Sequence, residues 1–473
     1  MKHLIPKCFL AATLMYSHTG YCDNLRWSDD SDFKAALDSS KNDVIPSLHP
    51  MSGNRKMVTG AQVEEIDLKA LDFIRKAIGT SQSALGSLAR PKMIAFGGGL
   101  TAGLTNGGLY REGQLFAYPN LVAIQMGIGD FSTPLFDENE RNGTGYMVFS
   151  ADKNEYPTWK KVNDKLAVIK QGSPPAFSPY RGKVDNWAFP KATLNNLRFA
   201  HKIDERNFPR WFEYQPYLWR VLPVEQNEVV SPIDFVKKNQ QYDLVIIEDF
   251  FDQWITKLLK TERVNLYDFY QSQLVTGQID LSAATSLIEG GKKAVLFTIP
   301  RYQDLAFFNW YPVSAQVDNV SAFVQSYQSE AIQDKTKPKY FVPSEEVDNL
   351  FRGSEAKLTD RDVITELEEG LSDPEFAEGH NSQIRQFASK HNLALVDLAK
   401  IYAEIHRGSY RTDDGVQITG SLNGNFFSSD GIYPTHLGQV VIANEVIKAI
   451  NTTYKSQIPL INVSELSKII DQN

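Results

Sequence analysis

Cysteine is almost absent from this 473-residue chain, whose two cysteines are Cys8 and Cys22. Residues 23–473 therefore contain no disulfide and no thiolate that could serve as a nucleophile or a metal ligand. The chain also lacks an excess of positive charge, since its formal net charge is -8. Binding to a nucleic-acid backbone needs clustered lysine and arginine, so nucleic acid is not an expected partner.

Long apolar runs are missing as well. The first residues are basic (Met1–Lys7), the next are apolar (Cys8–Tyr16), and a small or polar run follows (Ser17–Cys22). This order is typical of a signal peptide over residues 1–22, and the apolar part is far shorter than the roughly twenty residues that span a bilayer. We expect an exported protein.

Cys22 is a candidate for acylation, because Asp23 follows it as in a bacterial lipoprotein. Thr19 and Tyr21 depart from the usual leucine and small residue of a lipobox. The alternatives are a lipoprotein of the outer membrane or cell surface, held through its lipid anchor, and a periplasmic or secreted protein.

The remainder divides by composition into a tether and one domain. Residues 23–60 are polar and without periodicity, which is typical of a flexible tether. Ordered structure is predicted from residue 61, where apolar residues recur at helical spacing as far as Ile78. The segments near 131–180 and 309–374 are long and loop-rich, so they are predicted as cap insertions within the domain 61–473.

Four short apolar runs are predicted as strands, namely Met93–Phe96, Leu244–Ile247, Ala294–Ile299 and Leu393–Val396. Helical patterns separate them, and this alternation favours an α/β fold with a parallel sheet covered by helices on both faces. Ligands of such sheets lie beyond the carboxyl ends of the strands.

One of these strands runs into a glycine-rich turn, reading I-A-F-G-G-G-L-T-A-G over Ile94–Gly103. This stretch resembles the first block of the SGNH (GDSL-type) hydrolases, which reads G-D-S-L-T-A-G or G-N-S-L-T-A-G. Further similar segments are Asn106–Gln114, Ala117–Met126, Gly291–Pro300 and Phe426–Asn444. The resemblance is to the exported bacterial lipoprotein-like branch of that family.

The resemblance implies a three-layer α/β/α, flavodoxin-like fold with a mostly parallel five-stranded sheet and loop insertions. It also implies a carboxylic ester hydrolase that needs no cofactor. Its chemistry uses a serine, a histidine base, an aspartate that orients the histidine, and an oxyanion hole built from main-chain N–H groups and an asparagine.

Most of these groups are replaced in this chain. The alignment puts Gly99 at the serine position, Tyr433 at the histidine, Lys191 at the oxyanion-hole glycine and Phe251 at its asparagine. Only Asp430 is retained. Glycine offers no nucleophile, and a phenol with an ordinary pKa near 10 is a poor base at neutral pH.

Two nearby groups have alternative interpretations. His436 could replace the base, but a solvent-facing residue in the first turn of a helix is the favoured interpretation. Glu248, Asp249 and Asp252 form an acidic cluster after a predicted strand. Solvated loop residues are favoured there over a cation site or a glycosidase pair, and no metal site is predicted.

Aromatic residues are concentrated in two further segments. Trp211 and Trp219 lie in one, and Trp310 and Tyr311 lie in the other. Their rings could stack on a sugar or a lipid, or they could form the small core of a cap, and the sequence does not separate these roles.

The hypothesis from sequence is a non-catalytic, SGNH hydrolase-like protein of the bacterial cell envelope that binds a glycan, a lipid or a protein partner. One alternative is an esterase on carbohydrate or lipid esters with relocated catalytic groups. Another is a structural subunit of an outer-membrane assembly.

Overall fold

The computed structural model describes residues 69–75, 84–86, 88–150, 158–170, 175–198, 201–202, 214–222, 229–252, 254, 279–309, 338–341, 347, 362–365, 374–421 and 424–470. The proposed signal peptide, its Cys22 and the tether lie outside these residues, as do Trp211, Trp310 and Tyr311.

A five-stranded sheet forms the centre of the described chain. Its strands are β1 (Met93–Gly97), β2 (Asn186–Ala188), β3 (Leu244–Ile247), β4 (Lys293–Phe297) and β5 (Ala394–Val396). The spatial order is β5-β4-β3-β1-β2, and every neighbouring pair is parallel. The prediction of an α/β fold with a mostly parallel five-stranded sheet is confirmed.

The register brings the ends of β1 and β3 together, since Ile247 pairs with Phe96. The chain leaves β1 toward β2 on one side of the sheet and leaves β3 toward β4 on the other. A crevice forms between two parallel strands whose connections diverge in this way. The strand order therefore places a crevice at the carboxyl ends of β1 and β3.

The described helices are α1 (Gly99–Ala102), α2 (Arg111–Phe116), α3 (Tyr118–Gln125), α4 (Leu194–Arg198), α5 (Gln215–Trp219), α6 (Pro232–Asn239), α7 (Ser282–Leu287), α8 (Pro374–His391), α9 (Leu398–His406), α10 (His436–Tyr454) and α11 (Val463–Ile470). Residues 69–75 are also helical. Short 3-10 turns occupy Glu138–Glu140, Tyr302–Asp304 and Ala306–Asn309.

Helices cover both faces of the sheet, because alternate strand residues point to opposite sides. Met93 and Ala95 pack into the core that contains α3, α9 and α10. Ile94 and Phe96 pack into the core that contains α4, α6 and α7. The sheet is thus buried on both faces, as parallel sheets require.

Small antiparallel pairs lie outside the central sheet. They join Ala84–Leu85 to Leu88–Ala89, Tyr146–Ser150 to Thr158–Val162, Val168–Lys170 to Ala176–Phe177, His201–Lys202 to Val229–Val230, and Pro338–Phe341 to Val363–Thr365. Two lie wholly in the region predicted as the first cap insertion.

One side chain connects α10 to the amino ends of β4 and β5. The Tyr454 hydroxyl donates to the Ala294 carbonyl at 2.6 Å and accepts from the N–H groups of Ala294 and Ala394 at 3.0 and 3.1 Å. These contacts satisfy main-chain groups at the sheet edge opposite the crevice.

Candidate functional site

The candidate site lies at the carboxyl ends of β1 and β3. The turn after β1 holds Gly98 and Gly99, and Gly99 is the first residue of α1. A helical segment begins at Phe251, shortly after β3 ends, and places Asp252 against the turn. The crevice at the divergence point of the sheet is therefore filled by residues of the chain itself.

The Asp252 carboxylate is the centre of the site. One of its oxygens, Oδ2, accepts the main-chain N–H of Gly99 at 2.7 Å and that of Lys191 at 2.6 Å. The other oxygen, Oδ1, accepts the Tyr433 hydroxyl at 2.8 Å. Asp252 is only 2% exposed. Three donors from three distant segments thus converge on one buried carboxylate.

Burial raises the pKa of Asp252, while the hydrogen bonds from Gly99, Lys191 and Tyr433 and the charge of Lys191 oppose that rise. Burial and the neighbouring Asp252 raise the pKa of the Tyr433 phenol. Tyr433 is therefore a hydrogen-bond donor at neutral pH, and its phenol cannot take up a proton as a base would.

Glu248 is the second buried carboxylate of the site and is 2% exposed. Its Oε2 accepts the Gly98 N–H at 3.2 Å and the Thr101 hydroxyl at 3.1 Å, and its Oε1 accepts the Phe251 N–H at 3.0 Å. Burial, and next the charge of Asp252, raise the pKa of Glu248 to about 8. Glu248 therefore takes up a proton at a higher pH than an ordinary glutamate does.

Asp249 has a more open position and a different partner. It accepts the main-chain N–H of Leu194, the first residue of α4. A carboxylate at the start of a helix satisfies one of its free N–H groups. Burial raises the pKa of Asp249 to about 7. This residue connects β3 to α4 and does not contact the Gly99 turn in any described hydrogen bond.

The glycines allow the carboxylates to approach the main chain. A Cβ atom at Gly98 would lie 2.7 Å from the Asp252 Cγ, and one at Gly99 would lie 3.0 Å from the Tyr433 ring. Lys191 has a φ of 65°, in the left-handed region that favours glycine. The backbone here is shaped for close contact with an oxygen-bearing group.

The structure thus brings together several residues predicted from sequence. Gly99, Lys191 and Tyr433 all contact Asp252, and the Phe251 ring lies 5.7 Å from that of Tyr433. Phe251 itself is buried in the core. Asp252, one residue further along, is the side chain that reaches Gly99.

Asp430 does not orient a side chain at this site. Its Oδ1 accepts the N–H groups of Ile432 and Tyr433, and its Oδ2 accepts that of Gly107, each at 2.8 Å. Asp430 therefore holds the loop that carries Tyr433 against the turn after α1. Its role in the described structure is to position that loop.

His436 is the first residue of α10, where Thr435 caps the helix by accepting the Gly438 N–H. Its ring stacks on Phe116 with centroids 4.4 Å apart, and its Nε2 is 3.5 Å from the Tyr110 hydroxyl. His436 does lie in the first turn of the helix, as predicted. It is half-buried between aromatic rings, however, and does not simply face solvent.

Of the four aromatic residues proposed to bind a ligand, Trp219 alone lies within the described residues. It is half-buried at the end of α5, and its indole Nε1 is buried without a hydrogen-bond partner. No described contact joins Trp219 to the Asp252 site.

The acidic cluster was the main error of the sequence-based interpretation. Glu248 and Asp252 were expected as solvated loop residues, but both are buried. The sequence could not show that main-chain N–H groups from distant segments would satisfy them.

Within the described part of the chain, no group of three or more His, Cys, Asp or Glu side chains is arranged to hold a metal ion. The arrangement can hold a single carboxylate through three donors. At Gly99 it offers no nucleophile, and the Thr101 hydroxyl is already bonded to Tyr118 and Glu248.

Two surface cavities lie away from the crevice. One of about 740 Å³ is lined by Lys92 and Met93 at the amino end of β1. Another of about 360 Å³ is lined by Arg301 and Asp397, beyond β4 and β5. No helix among the described residues is both long and apolar enough to cross a membrane.

Comparison with known proteins gave one local similarity. The chain is 37% identical over 76 residues to cytochrome c lysine N-methyltransferase 1 of Candida glabrata. The similar stretch is 16% of this chain and spans 14% of that relative. No family model matches the chain, and no solved structure matches it.

These findings correct the family assignment. The similarity is to a methyltransferase, and no family model of SGNH hydrolases matches. The predicted membership of that family was wrong, and so was the function inferred from it, an SGNH hydrolase-like envelope protein without catalytic activity. The assignment failed because short glycine-rich and aspartate-glycine segments were taken as catalytic blocks.

Proposed function

We propose that the protein binds a small ligand in the crevice between the carboxyl ends of β1 and β3. The observation that supports this proposal is the convergence of the Gly99 N–H, the Lys191 N–H and the Tyr433 hydroxyl on the two oxygens of one buried carboxylate. Parallel sheets with this strand order bind their ligands at this place.

The stability cost of the arrangement also supports a ligand site. Lys191 adopts a left-handed conformation that costs a non-glycine residue about 1–2 kcal/mol. Two carboxylates, Glu248 and Asp252, are buried side by side. Strained backbone and buried acidic groups with shifted pKa values are concentrated at functional sites.

The proposal is tested by measuring the thermal stability of the full chain against small carboxylates, phosphates, amines, nucleosides and sugars. A true ligand stabilises the wild-type protein and loses its effect in Gly99→Ala, whose new Cβ would press on Tyr433. Gly129→Ala is the matched control, since nothing lies within 4 Å of a Cβ there. Equal stabilisation of both variants, or none of the wild type, would contradict the proposal.

Methyl transfer is a second candidate, favoured by the 37% identity over 76 residues with the Candida glabrata enzyme. The glycine turn after β1 lies where open α/β sheets hold nucleoside cofactors. The N–H groups of Gly98 and Gly99 are bonded to Glu248 and Asp252, so a methyl donor would have to displace those side chains.

The test for methyl transfer uses S-adenosylmethionine with a labelled methyl group and cytochrome c, the substrate in the relative's name. Labelled lysine in cytochrome c, lost in Gly99→Ala and kept in Gly129→Ala, is the result expected of a methyltransferase. If neither cytochrome c nor a lysine-rich peptide becomes labelled, methyl transfer to lysine is contradicted. Ligand binding is then judged by the stability test alone.

A further inference from the structure

We infer that the ligand of this crevice carries a carboxylate, and that Asp252 is an internal competitor occupying the place of that group. The inference rests on the proposed ligand-binding function and adds the chemical class of the ligand. A side chain held by the ligand-binding groups indicates which chemical group they recognise, and in this structure that side chain is Asp252.

The three donors match a group with two oxygens on one carbon. Two N–H groups meet at Oδ2, and the Tyr433 hydroxyl meets Oδ1. The donors follow β1, follow β2 and precede α10, so each is positioned by an element that does not include Asp252. They would remain in place around a carboxylate from another molecule.

The surroundings limit the negative charge that this place can hold. Burial raises the pKa of Asp252, and the positive charge of Lys191 only partly opposes that rise. Asp252 in turn raises the pKa of Glu248, and an anion in this place would act on Glu248 in the same way. A phosphate dianion would bring a second negative charge into this buried place. That charge would add to the desolvation cost, and Lys191 has only one positive charge to offset it.

The glycines set the size of the group. A Cβ at Gly98 would overlap the Asp252 carboxyl carbon, at 2.7 Å from Cγ, so the turn accommodates a planar carboxyl only because position 98 carries no side chain. Tyr433 closes the crevice above Gly99. The space fits a carboxyl group directly against the main chain.

A tethered competitor predicts weak binding by the wild-type protein. A group on the same chain acts at an effective concentration of order millimolar or higher, so a free carboxylate must exceed it to replace Asp252. Removal of the Asp252 carboxylate should therefore expose the site to small free carboxylates.

The experiment is chemical rescue of the full chain. Asp252→Ala leaves three buried donors without an acceptor and is expected to be less stable than the wild type. Formate or acetate, titrated at constant ionic strength, should raise its folded-to-unfolded ratio about tenfold in a saturable manner. Chloride and acetamide should not, and the wild type should respond little to any of the four.

Asp252→Asn is the second variant, for the case in which Asp252→Ala does not fold. It keeps the volume of the side chain and removes the charge, so formate should stabilise it at lower concentrations than the wild type. Asp137→Asn, at an exposed aspartate, is the matched control and should behave as the wild type.

Rescue by phosphate in place of formate and acetate would overturn the carboxylate inference, and so would the absence of rescue in the folded variant. Neither result affects the proposed ligand binding, which is judged on the wild type with other classes of compound. If no compound binds the wild type in that test while formate rescues Asp252→Ala, the rescue shows only that the emptied place accepts a small acid, and the proposed function and the inference that rests on it are both overturned.

Discussion

The Tyr433 hydroxyl donates a 2.8 Å hydrogen bond to the Asp252 carboxylate, although 181 residues separate the two in sequence. The bond links the loop before α10 to the helical segment that follows β3. Both groups are buried, so the bond is made in surroundings where an unpaired partner is costly.

Tyr433→Phe should lower the free energy of unfolding by about 1.5–3 kcal/mol, because it removes a hydrogen bond to a buried carboxylate. Urea unfolding of the full chain measures the change. Tyr402→Phe is the matched control, since the Tyr402 hydroxyl is fully buried and has no hydrogen-bond partner. Equal effects of the two substitutions would show that the Tyr433 bond contributes nothing specific.

The stability of the protein should fall as the pH rises from about 5 to 8. Burial raises the pKa of Glu248 to about 8 from 4.5, so in this interval the folded protein holds a proton that the unfolded chain has released. The contribution is complete below the unfolded pKa and is lost as the pH rises through the folded pKa. The slope from this group is at most about 1.4 kcal/mol per pH unit.

Glu248→Gln should flatten that pH dependence, as measured by urea unfolding at a series of pH values. Asp249 and Asp252 also have raised pKa values and contribute in the same direction, so some slope should remain. A slope in Glu248→Gln as steep as in the wild type would mean that Glu248 is not the titrating group.

Gly99→Ala should destabilise the protein by about 1–3 kcal/mol, because the new Cβ would lie 3.0 Å from the Tyr433 ring and force it to move. Gly129→Ala introduces the same methyl group where nothing lies within 4 Å. Its stability should stay within about 0.5 kcal/mol of the wild type. The measurement is the unfolding midpoint of each variant. Equal midpoints for Gly99→Ala and Gly129→Ala would show that the space next to Gly99 is not crowded.

Lys191→Gly should be more stable than Lys191→Ala by about 1 kcal/mol, because both remove the lysine side chain and keep the N–H that binds Asp252, while only glycine adopts the φ of 65° without strain. Lys191→Ala removes the same positive charge and keeps the strain, so it should be less stable than Lys191→Gly. If the alanine variant equals or exceeds the glycine variant in thermal unfolding, the left-handed backbone carries no strain.

The strands with strong hydrophobic signals could be predicted from the sequence. The runs at Met93–Phe96, Leu244–Ile247, Ala294–Ile299 and Leu393–Val396 all correspond to strands, with ends shifted by up to two residues. Strand β2 was missed, because three residues reading N-W-A give no periodic pattern. Its pairing with β1 makes it a strand, and pairing is not visible locally.

The sequence singled out positions that the structure brings together, but it did not show what holds them together. Gly99, Lys191 and Tyr433 were singled out from sequence, and they do converge. Asp252 was interpreted as a solvated residue because acidic residues at the carboxyl end of a strand are ordinary loop residues and nothing else nearby has metal-ligand spacing. Two of its three partners are main-chain N–H groups, which every residue except proline has, so the sequence gives no signal for them.

Export, acylation at Cys22 and a glycan, lipid or protein partner stay predictions, as do the separation of the tether from the domain and the cap insertions. Most of them fall on parts of the chain outside the described residues. Detergent partitioning of the wild type and Cys22→Ser, expressed with the leader intact, would test the lipid anchor.

The connectivity of the crevice also determines when it can form. The turn at Gly99 meets Asp252 across 153 residues, and Gly107 meets Asp430 across 323. Contacts between such distant residues close long loops of chain, which makes folding slow. During synthesis the Gly99 turn emerges long before Asp252, and Asp252 emerges long before Tyr433. A growing chain therefore holds an incomplete crevice for most of its time on the ribosome, and the Gly99 N–H waits for the carboxylate that accepts it in the folded protein.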